Sequence, residues 1–545
     1  MSISVVYPLT VDSAHRTLRE FRLWAPYAEA AELVLGDKAL PMVSDGEFFE
    51  VTASAAHGDR YGFRILTSSG WSQVLADPES QWQPDGVSGV SAVVDSDFDW
   101  GTEDAFQPCF DVIYELHVGT FSDTGDFAGV TAALPYLADL GVTAIELMPV
   151  QPVSGRWNWG YDGVLFHAVS ESYGGPVELK RLVKAAHANG IAVILDVVFN
   201  HFGMEGNNVD LFGPYSTSYT PWGAGVNLRH PQVRHYVLSA ANRWLTEFRV
   251  DGLRLDATHA YTDPGILQEF SQLPGVIIAE DLQDDAHLPV DAQWNDNLHH
   301  ALHTVVSGES HAYFAGFGSV SRLVAELRLH YPSVVYTTTH DQVGNRPRGD
   351  RPSMSLSSEQ QILKIALMAA LDAWLMLFMG EEYGARTPFP FFCDHENPRL
   401  RTDTVRFRNK MFIEQGLTET PIDPTSPEAF YQAIVDFRGD PVVTEGYRRI
   451  LALRRSHPIH PQVVDQIPGT PVVVLLGDNY ALLANCSDEH TELSETDLNL
   501  LSSSTQLANA TVMFASPATH EPGQRVGDST TLEPWSVLWL AVPYV

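Results

Sequence analysis

Arg254 and Asp256 stand two residues apart in the stretch VDGLRLDATH, residues 250–259. Val250, Leu253 and Leu255 mark that stretch as a buried strand, and on a strand residues two apart share a face. A strand buried on both sides is ordinarily a continuous apolar run, so a guanidinium and a carboxylate aimed the same way call for a chemical reason. Two more carboxylates close apolar runs: Glu280 in GVIIAED and Asp341 in SVVYTTTHD. Brought together, Asp256, Glu280 and Asp341 suit cleavage of a glycosidic bond. That reaction needs two carboxyl groups flanking the bond, and a separation of about 5–5.5 Å makes one the nucleophile and the other acid and then base. The transition state is oxocarbenium-like and positive, so carboxylates stabilise it. The acid must hold its proton near neutrality, which anionic neighbours favour. Arg254 would orient Asp256 and keep it ionised. The bland alternative is a buried ion pair at a strand end with no substrate.

The elements that must position these groups recur from about residue 110. Strands are read in DVIYELHV, VTAIELMPV, IAVILDVVFNH, VDGLRLDATH, GVIIAED, VDAQW, SVVYTTTHD and WLMLFMGEE. Helical patterns such as GPVELKRLVKAAHANG lie between them, with apolar residues three and four apart. Eight alternating strands and helices predict a closed (β/α)8 TIM barrel over residues 106–455. Most of the strands end on polar groups: His117, Asp196 and His201, Arg254 and Asp256, Glu280, His340 and Asp341, Glu381 and Glu382. Barrel active sites lie at the C-terminal ends of the strands, so these residues are expected to converge. Residues 1–105 carry short runs (FRLWAP, AELVL, EFFEVTA, RYGFRIL) broken by Gly, Asp and Pro, the pattern of a β-sandwich. Residues 456–545 return to β character and predict a second sandwich.

Composition narrows the partners. The formal net charge of -35 opposes a nucleic-acid partner, which needs a basic face, and an anionic membrane surface; a neutral substrate fits best. The charge also reads simply as solubility. Three cysteines (Cys109, Cys393, Cys486) form no C-x-x-C pair, which suits a reducing, cytoplasmic compartment rather than a disulfide framework. The opening MSISVVYPLTVDSAHR lacks the basic and apolar regions of a secretory signal. The most apolar stretch, Ile362 to Gly380, contains Lys364 and Asp372 and reads as a buried helix running into a buried strand, not a membrane span. His299 and His303 are spaced to meet on a helix face, but no H-E-x-x-H pattern accompanies them and packing is the expected role.

Four ordered segments resemble the signatures of the α-amylase superfamily, glycoside hydrolase family 13. They are DVVFNH (from Asp196), GLRLDATH (from Gly252), AED (from Ala279) and HDQ (from His340). The resemblance implies Asp256 as nucleophile, Glu280 as general acid/base and Asp341 as the group that binds sugar hydroxyls and strains the ring. It implies that His201, Arg254 and His340 line the cleavage subsite, with Tyr161 of WGYDG stacking on the sugar and Asp196 supporting His201 and Arg254. Across nearly the whole chain the likeness is strongest to that superfamily's maltooligosyltrehalose trehalohydrolase group. Such enzymes cut the α-1,4 bond next to a terminal trehalose unit, use water, need no cofactor, and act after a maltooligosyltrehalose-forming synthase. His259 and Ala260 follow the nucleophile as in that group, where many amylases have Lys then His. The segment from Gly203 to about Pro231 is short and poor in carboxylates, so no metal is expected to be required, and Asn200 alone makes no calcium site. AEDLQDDAHL and the region of Arg156 and Trp157 depart from the group's pattern. Trp222 and Trp294 are candidates to stack on glucose rings at outer subsites. The alternatives are an α-1,4-glucan branching enzyme, an α-1,6 debranching enzyme and, remotely, a non-catalytic glucan-binding protein.

Overall fold

Eight parallel strands close into a barrel: β1 (Val112–Leu116), β2 (Ala144–Leu147), β3 (Ala192–Val197), β4 (Gly252–Leu255), β5 (Val276–Ala279), β6 (Ala292–Trp294), β7 (Ser333–Tyr336) and β8 (Trp374–Phe378). They fall within the eight runs read from the sequence. The computed structural model describes residues 16–542 apart from 96, 102–105, 283–287, 458, 495, 498–506, 508–509 and 528. β8 returns to β1 in register, Val112 beside Leu375 and Glu115 beside Phe378. Closure leaves no exposed strand edge.

The helices around the barrel bury one stripe each. In α1 (Phe127–Leu140), Phe127, Val130, Leu134, Leu137 and Leu140 are buried at three- and four-residue spacing. Asp126 caps its N-terminus by accepting from the Gly129 N–H, and Gly141 ends it at φ 103°, a left-handed turn that favours glycine. The apolar stretch from Ile362 is a helix, α2 (Ser358–Ala369), that runs into β8; Lys364 on it is buried and donates to the Thr337 carbonyl at 3.0 Å. Among the described residues no helix is long and apolar enough to cross a membrane.

Two sheets precede the barrel. One orders Thr17–Trp24, Phe48–Ala55 and Val43–Asp45; the other orders Lys38–Pro41, Ala30–Leu35, Arg60–Thr67 and Gly70–Trp71, with Ser91–Ala92 paired to Arg60–Thr67. Phe21 and Leu23 face inward while Glu20 and Arg22 face solvent, the alternation of a half-buried strand. This unit meets the barrel where Trp24 packs on Tyr215 with ring centroids 5.1 Å apart. After the barrel, five antiparallel strands between Val463 and Ala541 form one sheet, and Thr491–Leu493 pairs with Thr530–Leu532. Alternation divides the large sheet: Val473, Leu475, Leu482 and Trp539 join the barrel's core, while Val472, Val474, Leu483 and Leu540 pack within the C-terminal unit. All three cysteines are free thiols.

Candidate active site

The inward positions of the barrel change character along the strand axis. Ile113, Ala144, Ile194, Ile278, Val334 and Met376 belong to one apolar cluster in the interior. Two residues further along β1 to β4 the same alternation delivers Glu115, Glu146, Asp196 and Arg254, none more than 1% exposed. Asp256 and Glu280 lie just beyond β4 and β5.

Arg254 organises this layer. β3 and β4 pair with Asp196 opposite Arg254. Its Nη1 donates to both Asp196 oxygens at 3.0 and 2.9 Å and to Asp256 Oδ1 at 2.8 Å; its Nη2 donates to Glu280 Oε2 at 2.6 Å. One cation thus ties three carboxylates, and a buried charge needs such pairing. Burial disfavours the guanidinium's charge, but Asp196, Glu280 and the other anions around it outweigh burial and raise its pKa well above the ordinary value.

Asp256 is fixed from its other side. Asn200 Nδ2 donates to Asp256 Oδ2 at 2.6 Å and to the Asp256 carbonyl at 2.9 Å. The next residue, Ala257, adopts φ 43°, a left-handed conformation uncommon for a residue with a Cβ. That turn directs the Ala257 N–H onto Glu280 Oε2 at 3.0 Å. Glu280 therefore commits one carboxyl oxygen to two donors and keeps Oε1 without a partner among the described residues.

His340 and Asp341 begin the short helix α3 (His340–Gly344), capped by Thr339. The His340 N–H donates to Glu115 Oε2 at 3.0 Å, and its Nδ1 bonds Glu115 Oε1. His340 Nε2 lies 2.9 Å from the Tyr161 hydroxyl, which donates to Asp196 Oδ2 at 2.6 Å. Burial favours neutral His340, but Asp341 and Glu115 prevail and lift its pKa to about 10. It is an imidazolium at neutral pH, donating from both ring nitrogens. Asp341 accepts from Asn345 Nδ2 at Oδ1, 3.1 Å away.

Exposure separates the working groups from their supports. The side chains of Asp256, Glu280 and Asp341 retain 14%, 15% and 33% exposure, whereas Asp196 and Arg254 retain 1% and 0%. Three carboxylates open to the cleft are thus held by a buried charged layer beneath them. His201 is buried, with Nε2 3.0 Å from the Tyr161 carbonyl. Trp222 is 42% exposed, its ring 6.0 Å from that of His201.

Comparison with known proteins identifies relatives of this chain. The family description "Alpha amylase, catalytic domain" matches residues 95–213, and carbohydrate-binding module 48 (isoamylase N-terminal domain) matches residues 9–80. A malto-oligosyltrehalose trehalohydrolase from Mycobacterium tuberculosis is 38% identical over 508 residues, covering 80% of this chain and 86% of the relative. The chain belongs to the malto-oligosyltrehalose trehalohydrolase family. Another member, from Saccharolobus solfataricus, is 36% identical over 80% of this chain and 85% of its own. The crystal structure of a putative α-amylase from Salmonella typhimurium superposes with a TM-score of 0.85 at 30% identity, over 97% of this chain and 98% of that one.

In this trehalohydrolase-family chain the expected site residues do not all reach the cleft. Trp294 is a correction: it is 2% exposed at the end of β6, and its ring faces the Arg254 guanidinium at 4.2 Å. A ring occupied by a cation inside the barrel has no face for an outer glucose. His117, Glu381 and Glu382 are also buried away from the cleft. His117 bonds Thr120 and the Asn158 carbonyl, Glu381 accepts from Thr337 and Tyr447, and Glu382 accepts from Tyr114 and Tyr136. Tyr161 stacks on His340 with centroids 5.3 Å apart. Asp196 supports Arg254 as expected, but the partner of His201 Nδ1 is Asn200. His259 is half-buried, with Nδ1 unpaired. His303 faces Glu309 at 3.2 Å. Among the described residues no group of three or more His, Cys, Asp or Glu is placed to hold a metal ion. Part of AEDLQDDAHL lies outside the described residues.

Sequence reasoning missed Glu115 and Glu146, and it weighed Asn200 only as a calcium ligand, not as a support for Asp256. Burial, with Glu115 and Asp196 adding to it, raises the Glu146 carboxyl well above its usual range, and neither oxygen has a partner. The available signal was an acidic residue inside the apolar runs VIYEL and AIEL, the same anomaly that singled out Arg254.

Proposed function

We propose that this protein is a retaining glycoside hydrolase that cleaves the α-1,4-glucosidic bond next to the terminal trehalose of a maltooligosyltrehalose and releases trehalose. Asp256 is the nucleophile and Glu280 the general acid and then base. Asp341 binds hydroxyls of the sugar being cleaved, with His340, His201 and Tyr161 around it. Trp222 offers an aromatic face at the cleft edge, and His259, with Nδ1 unpaired, is a further substrate-binding candidate. The observation that carries the chemistry is the single guanidinium of Arg254 holding both Asp256 and Glu280. Two carboxylates sharing one cation suit the short separation of retaining enzymes, about 5–5.5 Å, better than the 6.5–9.5 Å of inverting ones. Family membership supports the choice of bond, and no cofactor takes part in these steps. The non-reducing trehalose terminus has to be made first by an isomerising synthase acting on the reducing end of an α-glucan, which is the one partner reaction the substrate requires.

The test compares a maltooligosyltrehalose and a plain maltooligosaccharide of equal glucose number, without added calcium, with products separated by chromatography. Fast trehalose release from the first and slow cleavage of the second is the expected result. Equal cleavage refutes the trehalose specificity, and new α-1,6 linkages identify a branching enzyme instead. Asp256→Asn and Glu280→Gln should each lower kcat by about three orders of magnitude or more, as loss of a covalent or acid–base catalyst does. An active Asp256→Asn protein refutes the nucleophile assignment.

A further inference from the structure

Arg408, outside every motif, is linked to Asp341 through one intervening side chain. Helix α4 (Pro398–Glu414) follows β8 and is mostly solvent-facing; Phe412 is its buried residue. Arg408 lies one turn before Phe412, so both share a face. Its guanidinium sits over the Phe412 ring at 5.0 Å and the Phe391 ring at 4.9 Å. From there Nη2 donates to the Gly344 carbonyl at 2.6 Å and Nη1 to Asn345 Oδ1 at 2.8 Å. Asn345 caps the helix that starts with His340 and Asp341, and its own N–H donates to the Asp341 carbonyl at 2.9 Å. Its Nδ2 then donates to Asp341 Oδ1 at 3.1 Å.

The chemistry of this chain of bonds allows one arrangement. Arginine only donates and an ionised carboxylate only accepts. The Asn345 amide between them must therefore turn its oxygen to Arg408 and its nitrogen to Asp341. The reversed amide would set oxygen against oxygen at Asp341 and nitrogen against the guanidinium. Burial lowers the Arg408 pKa to about 10, which still leaves it charged at neutral pH. With Oδ1 held in this way, Oδ2 is directed to the His340 side, where Nε2 stands 3.5 Å off.

We propose that Arg408 is a positioning residue for the glycosidic reaction: through Asn345 it fixes the carboxylate of Asp341 in the orientation that receives the sugar hydroxyls. This rests on the reading of Asp341 given above. It assigns a specific task to a helix whose exposed surface otherwise suggests none.

The test is a double-mutant cycle on the full chain, read as kcat/KM for trehalose release. Arg408→Met and Asn345→Ala are each expected to lower kcat/KM roughly 10- to 100-fold, the scale of a catalytic group misplaced by about 1 Å. Arg408→Lys, which keeps the charge on a single nitrogen but not the fork, should fall between the parent and Arg408→Met. In an Asp341→Asn background the same two changes should cost no more than about twofold, because the group they aim is already gone. A merely structural role would give the same factor in both backgrounds, and that additivity overturns the proposal. So does parental activity in either single variant. If Arg408→Met fails to fold, Asn345→Ala decides alone. Should Asp341→Asn itself keep parental activity, the reading of Asp341 fails, an outcome distinct from additivity on an inactive background.

Discussion

Replacing Arg254 by Met removes a fully buried cation from three carboxylates at once. Each charged hydrogen bond is worth about 1.5–3 kcal/mol, but the four bonds from Arg254 do not simply sum. The carboxylates keep other donors: Tyr161 on Asp196, Asn200 on Asp256 and the Ala257 N–H on Glu280. They also limit the cost by taking up protons, at about 1.4 kcal/mol per pKa unit. The expected loss of stability is therefore that of one broken buried ion pair, about 3–5 kcal/mol. Activity should suffer on top of this, because a protonated Asp256 is a poor nucleophile and a released one is misaligned. A fall in kcat/KM of about 10³–10⁴ corresponds to roughly 4–5.5 kcal/mol of transition-state stabilisation. Arg254→Lys keeps the charge but not the fork that spans Asp256 and Glu280, so it should recover stability more than rate. Thermal unfolding gives the first quantity and trehalose release from a maltooligosyltrehalose the second. Arg254→Met activity within about tenfold of the parent, or full activity in Arg254→Lys, would refute the claim that one guanidinium organises the site.

Three further outcomes follow from the same geometry. Trp222→Ala should raise KM by roughly 2- to 10-fold with kcat little changed, the scale of one aromatic contact of about 0.5–1.5 kcal/mol; a kcat loss without a KM change would remove Trp222 from substrate binding. Trp294→Ala should destabilise the protein by about 3–5 kcal/mol, and unchanged melting would contradict its place beneath Arg254. His340 carries a pKa raised from 6.5 to about 10. Its contribution is therefore complete below pH 6.5 and is lost as pH rises through about 10. The parent's melting temperature should decline across that window more steeply than that of His340→Gln, and parallel profiles would show that His340 is not charged in the folded state.

By itself the sequence determined the barrel and the location of its chemistry. Period-two apolar runs alternating with period-3.6 stripes admit few other architectures, and polar residues at run ends fall on one face of a barrel because every strand is parallel. Asp256, Glu280 and Asp341 were legible for that reason. The supports were not. Trp294 and Trp222 look alike in sequence, yet one lies under a guanidinium inside the barrel and the other stands at the cleft edge, because exposure depends on which strands close around a side chain. Glu381 and Glu382 end a strand as Asp341 does, but both are buried, and neighbouring tyrosines donate to one oxygen of each. Glu115 reaches His340 from 225 positions away, and Arg408 reaches Asn345 across 63. Hydrogen bonds between residues so far apart have no local signature. Closing the barrel creates them, and they in turn set the charge of His340 and the aim of Asp341.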